Sequence, residues 1–411
     1  MNEDQQIELR SALQKSFSPG APVNTRDLFA GRVGQLQAVM EAFQTRGRHA
    51  ILYGERGVGK TSLANIAKAL ASTLEMVAVK VNCDSDDEFA SIWKKVFRAI
   101  TFLQQKQQPG FERDPKTQTV SLEALLPDKP SPDDIQRILL AGGKPSLIVI
   151  DELDRVRSQS TTRRLADTIK TLSDNSVDAT LVLVGVADSV TDLIAEHLSI
   201  ERALVQLQMP RMSASELSEI IDKGLAQCGM TIAPRSRERI VALSQGLPHY
   251  THSLTLYAGV SAINDGGSAI GDADVDAAVR QAVKNAQQSV LQLYHRATSS
   301  PRRENLYGKV LLAAAMAPVD QLGYFAAADV RDPMRRVSGK RYQIPAFSKH
   351  LNDFCESTKG PILQKTGVKR KFRFRFINPL MQPFVILQGI SAGLISVDLS
   401  PTRRQPRPAG A

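Results

Sequence analysis

The sequence has few cysteines, no long apolar run and no secretory signal, and each absence excludes a class of protein. Its 411 residues include three cysteines, which lie far apart and show no metal-ligand spacing. Neither a disulfide framework nor a cysteine zinc site is expected, and a reducing compartment fits. No apolar run approaches the roughly 18 residues that a membrane helix requires. The polar start MNEDQQIELR lacks the basic and apolar regions of a secretory signal, so a cytoplasmic protein without a membrane partner is predicted.

The composition is that of a folded protein, and its charge is divided unequally. Hydrophobic residues make up 42% and charged residues 23%, and the length suggests two or three domains. Residues 300–411 hold 19 Lys+Arg and 7 Asp+Glu, a net of +12, whereas residues 1–299 hold 33 and 35, a net of −2. The basic part predicts an acidic partner, nucleic acid first. A basic surface that only aids solubility is the alternative.

Short apolar strands alternate with helices between residues 28 and 211. The strands are predicted at 49–53, 76–81, 147–150, 181–184 and 204–209. Near-continuous apolar runs of this kind indicate a parallel sheet that is covered by helices on both faces, an α/β fold. Residues 104–134, rich in Gln, Pro, Lys and Asp, are predicted to form a surface insertion.

The pattern becomes helical at Ser213 and changes again near residue 300. Helices are predicted at 213–229, 234–246, 247–263 and 272–296, and, after a linker at 298–303, near 304–317, 324–330 and 345–358. The end of the chain is strand-like over KRKFRFRF (369–376) and FVILQ (384–388). The Pro- and Arg-rich residues 401–411 are expected to be disordered.

A glycine-rich turn follows the first predicted strand. Residues 54–61, GERGVGKT, fit the pattern G-x-x-x-x-G-K-[ST] between a strand and a helix. Backbone N–H groups and the helix N-terminus can hold phosphates, Lys60 would reach the β- and γ-phosphates, and the Thr61 hydroxyl would bind Mg²⁺. A turn without a ligand is the alternative. The residues predicted to bind nucleotide here are Gly54, Glu55, Arg56, Gly57, Val58, Gly59, Lys60, Thr61 and Ser62.

Two carboxylates follow the third predicted strand of the sheet. Residues 147–154 are LIVIDELD, which places Asp151 at the carboxyl edge of a buried strand, where open α/β sheets bind ligands. Asp151 is predicted to hold Mg²⁺ through its water shell, and Glu152 to orient and polarise an attacking water. Two solvated carboxylates at a strand end are the alternative.

These motifs resemble those of the AAA+ ATPases, closest to the origin-recognition-type initiators, with features of the STAND signalling ATPases. The resemblance covers about residues 27–400 and rests on FAGR (29–32), GERGVGKTS, LIVIDELD, LVLVGVADS, SIERAL and GLPHYTHSL. It implies a P-loop parallel sheet with an α-helical lid and a C-terminal winged helix. The implied divisions are an arm (1–24), the α/β core (25–211), the lid (212–297), the winged helix (301–400) and a basic tail (401–411).

The resemblance also implies roles for residues outside the two motifs. Phe29 and Arg32 would lie near the adenine and ribose. Asp188 lies at the position of the family's polar sensor residue, which is usually Asn or Thr. Because an Asp departs from that pattern, its role is open, and Ser189 could serve as the sensor instead. Arg202 stands at the arginine finger, which implies a head-to-tail homo-oligomer; a surface arginine paired with Glu201 is the alternative.

A G-x-P element takes the place of the initiators' sensor arginine in the lid. It contains Pro248 and His249, and His249 would either approach the nucleotide or pack within the lid. The missing arginine argues for slow hydrolysis.

The basic C-terminal part has alternating aromatic and basic residues. On a strand, Phe372, Phe374 and Phe376 would face the core, whereas the basic residues would face outward, free to contact phosphates. Lys349 lies outward on a predicted helix, and Arg335, Arg336, Lys340 and Arg341 add charge upstream. A winged helix used for protein contacts is the alternative. The residues predicted to bind DNA are Lys349, Lys369, Arg370, Lys371, Arg373 and Arg375.

Together these features predict a switch that binds and hydrolyses ATP with Mg²⁺, assembles head to tail and binds duplex DNA. Two alternatives stay open. One is a regulatory ATPase that recruits or gates a protein partner, such as an effector or a transposase. The other is a scaffold that binds ATP without hydrolysing it.

Overall fold

A parallel five-stranded sheet forms the centre of the N-terminal half. The structure, a computed structural model, describes residues 1–22, 29–106, 116–194, 200–301, 305–320, 322–368 and 371–396. The strands of the sheet are β1 (His49–Gly54), β2 (Val77–Asn82), β5 (Ser146–Asp151), β6 (Ala179–Val186) and β7 (Leu204–Gln208), in the order β2-β5-β6-β1-β7. All five predicted strands are confirmed, and their carboxyl ends lie on one edge.

Helices cover both faces of this sheet. They are α2 (Val33–Gln44), α3 (Lys60–Thr73), α4 (Phe89–Ala99), α5 (Pro132–Ala141) and α6 (Gln159–Asp174). Successive side chains of a strand point to opposite faces, so both faces of a covered strand must be apolar. In β5, Leu147 and Val149 join one buried cluster, whereas Ile148 and Ile150 join another that contains Trp93.

The segment predicted as a surface insertion contains regular structure. Strands β3 (Thr101–Lys106) and β4 (Lys116–Ser121) form an antiparallel hairpin, and α5 begins at Pro132. Ser131 caps α5, because its side chain accepts a hydrogen bond from the backbone N–H of Asp134. The predicted insertion therefore includes strand residues and the start of a capped helix, while residues 107–115 lie outside the described residues.

The segment predicted as a lid, called the lid below, contains helices that follow the sheet, together with a short parallel pair of strands, β8 (Thr231–Ile232) and β9 (Ala269–Ile270). Its helices are α7 (Ala214–Cys228), α8 (Pro234–Ser244), α9 (Pro248–Asn264) and α10 (Asp272–Lys284). The single helix predicted over 272–296 is interrupted, since α10 ends at Lys284 and α11 (Gln288–Thr298) begins after a cap at Asn285.

The N-terminal segment, predicted as a separate arm, packs on the lid through helix α1 (Glu3–Ser16). Phe17 and Leu13 are buried, at 1% and 0% exposure. A Cβ atom at Gly224 would lie 2.3 Å from the Phe17 ring, and one at Gly259 would lie 2.6 Å from Leu13. The two glycines therefore allow α1 to contact α7 and α9 closely.

The C-terminal domain, which comprises the described residues after 304, combines helices with an antiparallel sheet of order β10-β12-β11. Its elements are α12 (Tyr307–Ala315), β10 (Phe325–Ala326), α13 (Arg331–Ser338), α14 (Ile344–Asp353), β11 (Leu363–Thr366), β12 (Arg373–Phe376) and α15 (Met381–Ser391). The helix predicted at 324–330 is a strand, β10, followed by a 3₁₀ turn, Ala327–Val330.

The strand predicted over FVILQ is a helix, α15. Its side chains from Met381 to Leu387 are buried on every side, since α15 packs against α10 and α12. A short apolar run cannot distinguish a buried strand from a buried helix, which explains the error. Within the described ranges, no helix combines the length and the apolar character that a bilayer crossing requires.

Candidate nucleotide-binding site

The glycine-rich turn joins the end of β1 to the start of α3. Gly54 has φ 145°, and a Cβ atom there would lie 2.4 Å from the carbonyl oxygen of Met209, so the turn requires glycine at this position. Gly59, with φ 95°, precedes the first residue of α3. The first backbone N–H groups of α3 have no partner within the helix and can bind an anion. Val58 is fully buried and anchors the turn.

Lys60 is the buried cation of this turn. Its Nζ donates to the carbonyl oxygens of Gly54 and Glu55, at 3.0 and 2.8 Å. Burial lowers the pKa of Lys60 to about 8, against the carboxylates of Asp154 and Asp151, which act to raise it. The ammonium group thus lies within its own loop, where phosphate oxygens can replace two neutral carbonyl groups as acceptors.

Asp151 and Glu152 lie where β5 ends, as predicted. Asp151 is 2% exposed; its Oδ1 accepts a hydrogen bond from the Glu152 N–H, and its Oδ2 lies 2.9 Å from Lys80 Nζ. Glu152 has a left-handed backbone, φ 58°, and its Oε2 lies 3.0 Å from Arg155 Nη1. The carboxylate of Asp151 and the hydroxyl of Thr61 are hard oxygen ligands, the kind that Mg²⁺ prefers, so these residues fit the predicted metal.

One cavity of about 830 Å³ brings these groups together. It is lined by the turn from Arg56 to Ser62, without Val58, and by the carboxylates of Asp151, Glu152 and Asp154. Its other walls come from the N-terminal segment 18–22, from the lid and from Leu380 of the C-terminal domain. The volume is within the range of small-molecule sites, about 300–1,000 Å³.

Phe29 and Arg32 line the same cavity, on the side where the core meets the lid. The Phe29 carbonyl accepts a hydrogen bond from Lys223 Nζ at 2.8 Å. Arg32 is 3% exposed, its guanidinium donates to the Pro210 carbonyl, and burial lowers its pKa, although nearby Glu216 acts to raise it. Arg32 therefore holds the segment between core and lid.

Pro248 and His249 lie at the start of α9 and also line the cavity. The Nδ1 atom of His249 lies 2.8 Å from the Pro19 carbonyl oxygen. Burial lowers the pKa of His249, and the contact with Pro19 opposes that effect. His249 thus lines the cavity and contacts the N-terminal segment, and its approach to a nucleotide stays a prediction.

Asp188, at the predicted sensor position, contacts the C-terminal domain. Its Oδ2 accepts a hydrogen bond from the Tyr324 hydroxyl at 2.9 Å, and its Oδ1 forms an ion pair with Arg375. Burial raises the pKa of Tyr324, and Asp188 adds to that effect. The expectation that Arg375 faces outward for DNA is wrong in this structure, because its side chain is 14% exposed and paired.

A second contact joins the phosphate-binding turn to the same domain. Arg211 donates to both carboxylate oxygens of Glu55, at 2.7 and 3.0 Å, and to Gln382 Oε1 at 2.7 Å. Both members of the Glu55–Arg211 pair are less than 10% exposed. No local motif contains Arg211, Gln382, Tyr324 or Lys80, so their contacts were not predicted. The one signal in the sequence is a charged or polar residue within an otherwise apolar segment.

The remaining predicted residues lie on the surface. Arg202 is exposed in the turn before β7, and no described carboxylate pairs with it, including that of Glu201. Lys349 and Lys371 are exposed, and Arg373 forms an ion pair with Asp320 at 2.9 Å. Lys369 and Arg370 lie outside the described residues.

Comparison with known proteins finds a family resemblance in the α/β part of the chain. Residues 28–184, from Leu28 through most of β6, match the family model of the AAA ATPase domain. This part of the chain is therefore similar to an AAA ATPase domain. Its sheet and phosphate-binding turn give the P-loop α/β fold of that family, which confirms the predicted fold class for the core. No curated protein sequence matches the chain.

Solved structures resemble the whole chain at low sequence identity. The ORC2 protein of Aeropyrum pernix, solved as ADPNP-ADP complexes, is 14% identical, with 92% of this chain and 98% of that chain covered and a TM-score of 0.50. The ORC1 protein of the same organism, solved in complex with DNA, is 15% identical, with 94% and 98% covered and a TM-score of 0.48. The first likeness concerns the fold alone, and it covers most of the chain beyond residues 28–184.

Proposed function

We propose that the protein is an ATP-dependent switch that binds ATP with Mg²⁺ beside the phosphate-binding turn and hydrolyses it slowly. The observation that supports this most strongly is the single cavity shared by Lys60, Thr61, Asp151 and Glu152, with the lid on its far side. The match of residues 28–184 to the AAA ATPase domain model supports the same proposal.

Some residues of the cavity would bind the nucleotide and its metal, and another would activate the attacking water. Backbone N–H groups of the turn and the Lys60 ammonium bind the phosphates, while Thr61 and Asp151 would hold Mg²⁺, which offsets charge on the phosphate oxygens when bound. Glu152 accepts a hydrogen bond from the attacking water. Its contact with Arg155 competes with that water for the carboxylate, and this competition is consistent with a slow reaction.

The test is the variant Glu152→Gln. Phosphate release should fall by about 100-fold or more because the amide cannot polarise the water, whereas ATP affinity should stay within about 2-fold. Glu123→Gln is the matched control, since Glu123 also pairs with an arginine, Arg98, at 2.8 Å but does not line the cavity. Unchanged phosphate release in Glu152→Gln would refute the catalytic role.

DNA binding is the second part of the proposal, and it rests on a cluster of exposed cations. The α13 cluster consists of Arg331, Arg335, Arg336, Lys340 and Arg341, and no described carboxylate forms an ion pair with them. Three helices followed by the β11–β12 hairpin support a winged helix. Together with Lys349 and Lys371, this surface can bind duplex DNA through its phosphates.

Assembly and partner recruitment complete the proposal. Arg202, exposed and unpaired within the described chain, is available to a neighbour's site in a head-to-tail oligomer. A regulatory ATPase that gates a partner such as an effector or a transposase is the second candidate. The contacts of the C-terminal domain with Asp188 and, through Arg211, with Glu55 favour it, because they connect that domain to the nucleotide edge.

A further inference from the structure

A second lysine lies beside the predicted metal ligand. Lys80 is in β2, on the strand next to Asp151, and its Nζ lies 2.9 Å from Asp151 Oδ2 and 3.1 Å from Asn65 Oδ1. The side chains of Lys80 and Asp151 are 15% and 3% exposed. A buried charge is costly unless it is paired, so the two residues stabilise each other as a unit.

The Lys80–Asp151 pair reduces the net negative charge at the predicted Mg²⁺ site. Lys80 offsets the charge of Asp151, and Arg155 pairs with Glu152. Asp154 Oδ1 accepts a hydrogen bond from the Val186 N–H at 2.8 Å. Across the described ranges, no group of three His, Cys, Asp or Glu residues is arranged to hold a metal ion. A bare divalent cation therefore finds neither enough ligands nor enough charge at this edge of the sheet.

We infer that Lys80 is a positioning residue that makes the site take its metal only together with the phosphates of a nucleotide. The inference rests on the proposed binding of ATP. Lys80 fixes the Asp151 carboxylate and offsets its charge, so the phosphate chain can enter without repulsion from it. The phosphates then supply the oxygen ligands and the negative charge that the protein alone lacks. Asn65 Oδ1 gives the ammonium group a second acceptor when Asp151 contacts the metal's water shell.

The experiment compares ATP binding to the full chain in EDTA and in MgCl₂ by calorimetry, and tests MgCl₂ alone by thermal shift. The wild type should bind ATP in both buffers and show no stabilisation by MgCl₂ alone. In Lys80→Met, the unpaired Asp151 should lower ATP affinity in EDTA by about 10-fold or more, since nearby unscreened like charges repel. In MgCl₂ the affinity should be within about 3-fold of the wild type, because the divalent cation offsets the Asp151 charge that Lys80 no longer offsets.

Two further variants separate this role from a merely structural one. Lys95→Met is the matched control, because Lys95 pairs with the buried Asp87 at 2.5 Å near the same edge but outside the cavity. It should leave the difference between the two buffers unchanged. The double variant Lys80→Met/Asp151→Asn carries no charge at the pair and should recover the ATP affinity in EDTA.

Three outcomes would overturn the inference. They are stabilisation of the wild type by MgCl₂ alone, an equal loss of affinity for Lys80→Met in both buffers, and a double variant that stays as weak in EDTA as Lys80→Met. If Lys80→Met alone does not fold, the ATP affinity of the double variant in EDTA tests the inference. A wild type that binds no ATP in either buffer would instead refute the proposed function, and the inference with it.

Discussion

The two basic faces of the C-terminal domain differ in what surrounds them. On β12, Arg375 is 14% exposed and paired with Asp188 of the preceding domain, and Arg373 is paired with Asp320. On α13, Arg331, Arg335 and Arg336 are exposed, and no described carboxylate lies within ion-pair distance of them. The sequence favoured the first face for DNA, whereas among the described residues the α13 face carries the exposed arginines that no carboxylate pairs.

This difference separates a contact that holds the molecule together from a surface that can exchange partners. A paired, partly buried arginine must lose its carboxylate before it binds a phosphate, and breaking such a pair is costly. An exposed arginine exchanges only small counterions, and their release drives the binding of DNA. We therefore expect the α13 cluster to bind DNA and Arg375 to connect the domains.

The largest effect should come from the double variant Arg335→Ala/Arg336→Ala. If each arginine neutralises one phosphate, the slope of log affinity against log salt should become shallower by about 2, and duplex affinity at physiological salt should fall by about 30-fold. Fluorescence anisotropy over a salt series measures both values.

The matched control is Arg235→Ala/Arg237→Ala on helix α8, where Arg235 lies 3.5 Å from Asp272 and Arg237 lies 3.3 Å from Asp222. It removes the same charge but from paired arginines of the lid, so the slope should not change. If both double variants made the slope shallower by the same amount, the net charge of the chain, and not this surface, would attract DNA.

Features that depend on neighbouring residues could be predicted from the sequence. The turn from Gly54 to Thr61 and the position of Asp151 follow from a local pattern, since a buried strand, glycines and a helix start lie side by side in the chain. Arg211 could not be predicted, because its partners Glu55 and Gln382 are 156 and 171 residues away. The identity of a residue gives no distance to a partner so remote in sequence.

An intermediate effect should come from Asp188→Asn, which removes the charge that pairs with Arg375. Amide hydrogen exchange over β12 should become faster by about 10-fold, as expected from the loss of about 1.4 kcal/mol of contact between the domains. Asp353→Asn is the control, because Asp353 accepts a hydrogen bond from Tyr307 within the C-terminal domain, at 2.7 Å. If β12 exchanged at the same rate in Asp188→Asn and in the wild type, the contact would contribute nothing to docking.

The smallest effect should come from Arg375→Gln. Because this arginine is engaged by Asp188, its replacement should leave the salt slope unchanged and alter duplex affinity by less than about 3-fold. Lys349→Gln is the informative companion, since Lys349 is exposed on α14 and its loss should make the slope shallower by about 1. A slope that becomes shallower by about 1 for Arg375→Gln as well would mean that DNA displaces Asp188. The two basic faces would then act in sequence, with the paired face joining the DNA surface once the domains separate.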